Sequence, residues 1–329
     1  MAQLIKLQDY VSRYEQDIYR YPSQFIRLKK QQWDKLKSAY QDGELEQLFS
    51  PTYEADLIEN AYEEEKKGIF KKVKGMFRRN KEEEVKLENE VPKREDNIFS
   101  LHIPADIGSL ADLKQTFLNQ LLRFQMKWGS STIHEKSFVD SSFFLDEKLR
   151  FFLQRFPDTF LVMYKPVFRL KNAPVEVDII VISPTDAWCI TFLEAEEDAA
   201  FAGSSEKFWL RRHHKYPNKK VLNPMISANR MESIVSQLFQ LYEVTLPIKK
   251  VVLSRNGYID YPLAPYGTEI IDKRSFPDWF EKIRKGSAPL KHQQLKGAQV
   301  LLEYCQTTST KRMEWQVEDS EQIEDNQTS

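Results

Sequence analysis

Cysteine is almost missing from this chain, with only Cys189 and Cys305 among 329 residues. Two thiols in so long a chain build no disulfide framework, and neither has the spacing of a zinc site; a reducing cytoplasm is the expected location. Long apolar runs are missing as well. No stretch approaches the roughly 20 apolar residues that span a bilayer, and residues 1–10 lack a signal-peptide core, so no transmembrane segment is expected. An excess of either charge is also absent. With 48 Lys and Arg against 49 Asp and Glu, the formal net charge is -1, so affinity for a polyanion has to come from a local patch. No internal repeat is evident. What is present is 41% hydrophobic and 12% aromatic content, enough for one large core or two modest ones.

The densest pattern lies in residues 174–196. Two apolar runs, 174–183 and 187–196, are separated by Pro184, Thr185 and Asp186, which predicts a hairpin of buried strands. Acids interrupt both. Alternation puts Glu176 and Asp178 on one face of the first strand and Glu194 and Glu196 on one face of the second. Carboxylates in such apolar surroundings need a metal, a cation or several hydrogen bonds, so a divalent-metal site is one reading. An exposed strand end at 194–198 is the other.

Residues 207–220 interleave six Lys and Arg with Phe208, Trp209 and Tyr216. Cations neutralise phosphates and aromatics stack on bases, which makes Lys207, Trp209, Arg211, Arg212, Lys215 and Lys219 candidates for contact with DNA. A solvated hairpin with its rings packed on the sheet explains the same composition. His213 and His214 are adjacent, point to opposite faces of a strand and do not share a metal.

The amino-terminal section reads as helical from about residue 7 to 40 and again from 45 to 65. A basic amphipathic segment follows at 66–81, where Ile69, Phe70 and Phe77 share a stripe and Lys71, Lys72 and Arg78 are among the eight cations. Such a segment lies on an anionic membrane surface, docks a partner, or packs on its own domain. The amino-terminal helices are a second candidate surface for a protein partner. A polar break at 91–97, a strand at 98–103 and a helix at 110–128 come next. The expected organisation is a helical region 1–92, an α/β region 93–307 and a disordered acidic tail 308–329.

After the hairpin, 223–243 reads as a helix capped by Asn223 with Pro224 in its first turn, and strands follow at 249–254 and 268–271, then helices at 276–285 and 290–307. The Glu176-Val-Asp178 triplet, the strand closing on Glu194 and the Asn223-Pro224 helix start stand in an order that resembles the nuclease-related domain, NERD, a branch of the PD-(D/E)xK nuclease superfamily. The resemblance covers about residues 140–260. It implies a restriction-endonuclease-like fold, a mixed sheet flanked by helices, and a Mg²⁺-dependent DNA phosphodiesterase. In that reading Asp178 and Glu194 hold the ion, Glu176 or Glu196 assists, and Asp178, Glu194 and Glu196 form the catalytic set. The family's E-x-K lysine is replaced by Glu196, its Gln after Asn-Pro by Ser227, and its Gly-Glu pair has only Glu147 as a loose substitute. Lys207, Lys215 and Lys219 are the nearest lysines for a relocated cation. The alternative is a non-catalytic module that binds nucleic acid or protein.

Overall fold

The computed structural model of this protein describes residues 1–45 and 107–311, apart from 133, 171, 172, 263, 266 and 287. It divides into two compact units, Met1–Lys29 with Leu122–Ser329, and Lys30–Leu121. The chain opens with β1 (Gln3–Leu7) and reaches the long helix α1 (Tyr21–Asp42), which begins in the first unit and continues into the second. Helix α2 (Leu110–Trp128) returns the chain to the first unit. Within the second unit, Trp33 of α1 and Phe117 of α2 stack with ring centroids 5.4 Å apart. The helices expected at 45–65 and 66–81, the strand at 98–103 and the boundary at 92 lie outside the described residues.

The first unit continues with β2 (Glu135–Lys136), α3 (Ser142–Leu145), α4 (Glu147–Arg155), β3 (Leu161–Tyr164), β4 (Val167–Leu170), β5 (Ala173–Glu176), β6 (Ile179–Ile182) and β7 (Ala187–Phe192). Three short strands follow, β8 (Ala200–Ala202), β9 (Phe208–Arg212) and β10 (Lys219–Leu222). Helix α5 (Pro224–Leu241) precedes β11 (Ile248–Leu253), β12 (Tyr258–Asp260) and β13 (Thr268–Ile271). Helices α6 (Phe276–Lys285) and α7 (His292–Glu303) and strand β14 (Thr310–Lys311) complete it.

The fold is mixed α/β. Its six-stranded sheet has the order β1-β3-β6-β7-β11-β13, antiparallel across β3-β6-β7 and parallel at β1-β3, β7-β11 and β11-β13. The predicted hairpin is β6-β7, turned by Ser183–Asp186, where the Ser183 hydroxyl accepts from the amides of Thr185 and Asp186. Alternation along β7 sets the layers. Trp188 and Phe192 face α4 and α6, meeting Trp279 at 5.9 Å and Phe152 at 5.7 Å between ring centroids. Cys189, Thr191 and the following Leu193 face α5, which packs on β7 and β11. Burial of Cys189 pushes its thiol up to about 12, so it stays protonated at neutral pH.

Two expectations need correction. The 174–183 run is not one strand: β5 pairs with β4 in a separate ladder, and Val177 and Asp178 lead from it to β6 in the main sheet. The helix expected from about residue 7 begins only at Tyr21, and β1 before it forms the edge of the sheet, parallel to β3. Gln125 of α2 accepts from the Leu4 amide at 2.7 Å and donates to Tyr14, whose hydroxyl donates to Gln3. The fully buried Lys6 ammonium is paired with Glu15 and donates to Tyr10 O and Thr307 Oγ1. Residues 308–311, at the start of the expected tail, are paired within the first unit. Thr308 donates its amide to Asp9 O, and β14 pairs with β2. Residues 312–329 are outside the described set.

A second sheet, ordered β10-β9-β8-β12, covers one end of the first. Its inner side chains Phe201, Trp209 and Ile259 share a core with Leu193, Met225 and Val252. Gly257 stands where a Cβ would be 2.6 Å from Ala199 O, a distance no side chain tolerates. Asp272, after β13, links the sheets by accepting from the Ile259 amide at 3.2 Å while pairing with Arg274. Burial works to raise its pKa, but the bonds from Arg274 and from the amides of Ile259 and Arg274 outweigh it and hold the carboxyl below its usual range. A folded pKa below the unfolded one contributes stability above about pH 4 that is lost as pH falls through the folded value. Thermal melts of wild type and Asp272→Asn between pH 7 and 3 should therefore show a gap at neutral pH that narrows below about pH 4; a gap of constant size contradicts this role.

Candidate functional site

Of the acids singled out by the sequence, Asp178 and Glu194 lie at the end of the main sheet where β3 and β7 finish and β6 begins. Asp178 directly precedes β6, opposite Thr191 when the β6-β7 register is continued. Its Oδ2 accepts from Thr191 Oγ1 at 2.8 Å and from Ser227 Oγ of α5 at 2.7 Å. Thr191 shares its face of β7 with Leu193, so Asp178 leans toward the α5 side.

Glu194 belongs to the other side. It lies two residues after Phe192, and alternation sends both toward α4. Arg255, just past β11, holds it with a two-pronged fork: Nε donates to Oε1 at 2.6 Å and Nη2 to Oε2 at 3.0 Å, and the Arg255 amide adds a bond to Oε1 at 3.1 Å. The guanidinium sits over Phe192 and Phe151, its carbon 5.3 and 5.0 Å from the ring centroids. Lys148 is on Phe192 too, with Nζ 4.8 Å from the centroid. The Glu194 side chain is only 11% exposed, so this charge is neutralised within the protein rather than by water.

The same side carries a second acid pair. Asp146 caps α4, accepting at Oδ1 from the amides of Lys148 and Leu149, and its Oδ2 accepts from the Tyr164 hydroxyl at 2.7 Å. Burial, then the bond to Asp146 and that carboxylate's charge, push the tyrosine's pKa far above its usual range, with Arg255 opposing. Tyr164 stays a neutral donor at any physiological pH. Neither Asp146 nor Tyr164 is among the residues the sequence singles out, which in this stretch are limited to Glu147 as a loose substitute for the Gly-Glu pair. An Asp directly before a Glu-Lys helix start is an N-cap signal and was the available clue.

The remaining predicted residues disperse. Glu176 is exposed at the end of β5, paired in register with Val167 and outside the main sheet. Glu196 bonds Arg211 at 3.0 Å instead of sharing partners with Glu194. Glu197 and Asp198 pair with Lys273. Asp178, Glu194, Glu176 and Glu196 thus point to four different surroundings. Among the described residues no group of three or more His, Cys, Asp and Glu stands close enough to hold a metal ion. The donor set does not fit Mg²⁺: both Glu194 oxygens already accept from a guanidinium, and the acids lean to opposite faces of the sheet.

The hairpin β9-β10 splits the nucleic-acid candidates by side. Trp209 is buried, its indole donating to Ser204 O at 2.8 Å, and Arg211 is buried between Glu196 and Pro217 O. These two are core residues, a correction that follows from strand alternation. Lys207, Arg212, Lys215 and Lys219 are exposed, as is Lys220. The two histidines do not take opposite faces of a strand as expected: β9 ends at Arg212, and beyond it His213 and His214 stack at 4.3 Å while His213 Nδ1 accepts from the Lys215 amide, which closes the turn. The candidates Ile69, Phe70, Lys71, Lys72, Phe77 and Arg78 lie outside the described residues. Among those described, no helix is long and apolar enough to cross a membrane.

No protein-family model matches the chain, and no solved structure does. One curated relative, an RNA 2',3'-cyclic phosphodiesterase of Geobacillus stearothermophilus, is 54% identical over 41 residues, which is 12% of this chain and 13% of that protein. The chain thus spans about an eighth of that relative's length. So short a match defines no family for the whole chain.

If Arg255 is the counter-charge of a nearly buried Glu194, removing it strands that carboxylate. Arg255→Ala should lower stability in urea denaturation by about 2–4 kcal/mol, and adding Glu194→Ala should restore a large part of the loss. Additive losses in the double variant would mean that the fork is not a coupled pair.

Proposed function

We propose that this chain is a nuclease-related module that binds nucleic acid without hydrolysing it. The observation that carries the reading is the Arg255 fork on Glu194. In the PD-(D/E)xK scheme, which the sequence resembles, that glutamate holds the metal and a lysine follows two residues on. Here an arginine occupies both of its oxygens, Glu196 stands at the lysine position, and Asp178 leans to the opposite face. A guanidinium fixed in a bidentate bond to carboxylate is an ion pair and not a water-activating group. What remains of the scaffold's chemistry is electrostatic. Within residues 207–222 there are six Lys and Arg and no acid, and five of the six are exposed once buried Arg211 is set aside. In a chain of formal charge -1, this stretch is the local patch that polyanion affinity requires.

The match to a cyclic phosphodiesterase of RNA is too short to assign a bond to cleave, so DNA and RNA are both test ligands. Purified protein mixed with labelled linear, nicked and single-stranded DNA and single-stranded RNA, in Mg²⁺ or Mn²⁺, should bind and leave the strands intact. Cleavage that disappears in the Asp178→Ala, Glu194→Ala variant would replace this reading with a hydrolase that works without the usual lysine. Intact strands with no binding at 50 mM salt, a condition chosen to favour phosphate contacts, would remove nucleic acid as the ligand.

A further inference from the structure

We infer that the outward face of the second sheet is a platform for single-stranded nucleic acid, with Phe208 stacking on a base and Arg212 and Lys220 holding phosphates; this rests on the nucleic-acid reading above and specifies its surface. Alternation fixes which side chains face outward. Phe201, Trp209 and Ile259 are in the core, so Ala200, Ala202, Phe208, Leu210, Arg212, Tyr258 and Asp260 take the opposite face. On β10 the register pairs Lys220 with Leu210 and Leu222 with Phe208, which adds Lys220 and Leu222 to that face.

The face has the parts that single-strand recognition uses. Phe208 and Leu222 are 44% and 54% exposed, an adjacent cross-strand apolar pair left in water at an edge of the protein. The Lys207 ammonium lies 5.6 Å from the Phe208 centroid, so a stacked base would meet a cation beside the ring. Along the row Tyr258-Ala200-Arg212, the half-buried Tyr258 ring, already 5.8 Å from the Arg274 guanidinium, stands at one end and Arg212 at the other, with the Ala200 methyl between. Ala202 continues this low strip along β8, opposite Leu210. Arg212 and Lys220 make no ion pair among the described residues, in contrast to the buried Arg211 one position away. The acid on this face is Asp260, on the far strand from the hairpin cations.

Charge decides between the candidate occupants. A protein partner covering the Phe208-Leu222 pair would have to be strongly acidic to offset the five exposed cations of 207–222, whereas a nucleic-acid strand brings both the negative charge and flat faces for the rings. Single strands are favoured over duplex because a base reaches Phe208 only when it is unstacked from its neighbours.

The test uses the full chain and fluorescence anisotropy with labelled single-stranded 15-mers of DNA and RNA and a 20-base-pair duplex. Binding is measured at 50 and 200 mM salt for wild type, Phe208→Ala, Arg212→Glu with Lys220→Glu, and Lys282→Glu as an exposed charge control on α6. Phe208→Ala should weaken single-strand binding about 5- to 100-fold, the range that loss of one stacked base gives. The double charge reversal should weaken it at least about tenfold at low salt and flatten the salt dependence by about 1.4 in slope, two phosphate contacts at 0.7 each. Lys282→Glu should bind nearly as wild type. Melting curves confirm folding, and because these side chains are exposed the variants should melt within a few degrees of wild type. Duplex binding that ignores both hairpin changes overturns the platform and leaves the nucleic-acid reading standing, whereas no binding of any strand overturns both. A Phe208-dependent dimer in sedimentation, with strand binding unaffected, would assign the face to a second copy and reject the proposal.

Discussion

A carboxylate that is almost out of contact with water must have a counter-charge, and the choice of that partner shapes the chemistry of this protein. Glu194 takes Arg255, which is fixed in turn by its place just past β11 and by the rings of Phe151 and Phe192 beneath its plane. A guanidinium fork satisfies both oxygens with directed bonds and stays charged at every accessible pH, so it closes the position to a metal more firmly than a lysine would. The neighbouring Asp146-Tyr164 bond follows the same logic, with a neutral hydroxyl as donor. Asp146, Asp178 and Glu194 are each committed to an internal partner.

Strand alternation determines how those commitments divide. Asp178 joins Thr191 and Ser227 on the α5 side, while Glu194 and Asp146 lean to the α4 side. Within the hairpin β9-β10 the same period of two separates Trp209 and Arg211, which hold the second sheet to the first, from Phe208 and Arg212, which face outward. One rule of strand geometry thus moves chemistry away from the acids and leaves a cationic, partly apolar surface as the feature available to a ligand.

Much of the fold was legible because its signals are local. Pro184, Thr185 and Asp186 between apolar runs marked the β6-β7 hairpin, Asn223 and Pro224 marked the start of α5, and a helix was expected at 110–128, where α2 stands. Strand β1 was not legible, since its apolar residues carry the buried polar pair Gln3 and Lys6, whose partners Tyr14, Glu15 and Thr307 are set by tertiary contacts. For the site, alternation paired Glu176 with Asp178 and Glu194 with Glu196, but Val177 and Asp178 join β5 to β6 instead of extending one strand, so Glu176 parts from Asp178, and Glu194 and Glu196 take different arginines. Nor could spacing reveal Arg255, which comes from 61 residues away to meet Glu194.

The central claim is that these carboxylates are closed to a divalent ion. Titration of Mn²⁺ into metal-free protein, followed by the loss of its free-ion electron paramagnetic resonance signal, tests it most directly, with Asp178→Asn and Glu194→Gln prepared alongside. The account predicts no saturable one-to-one site in wild type and the same weak uptake in both variants. One Mn²⁺ bound per chain and lost on either substitution would contradict it, and would mean that Glu194 leaves Arg255 to take the metal.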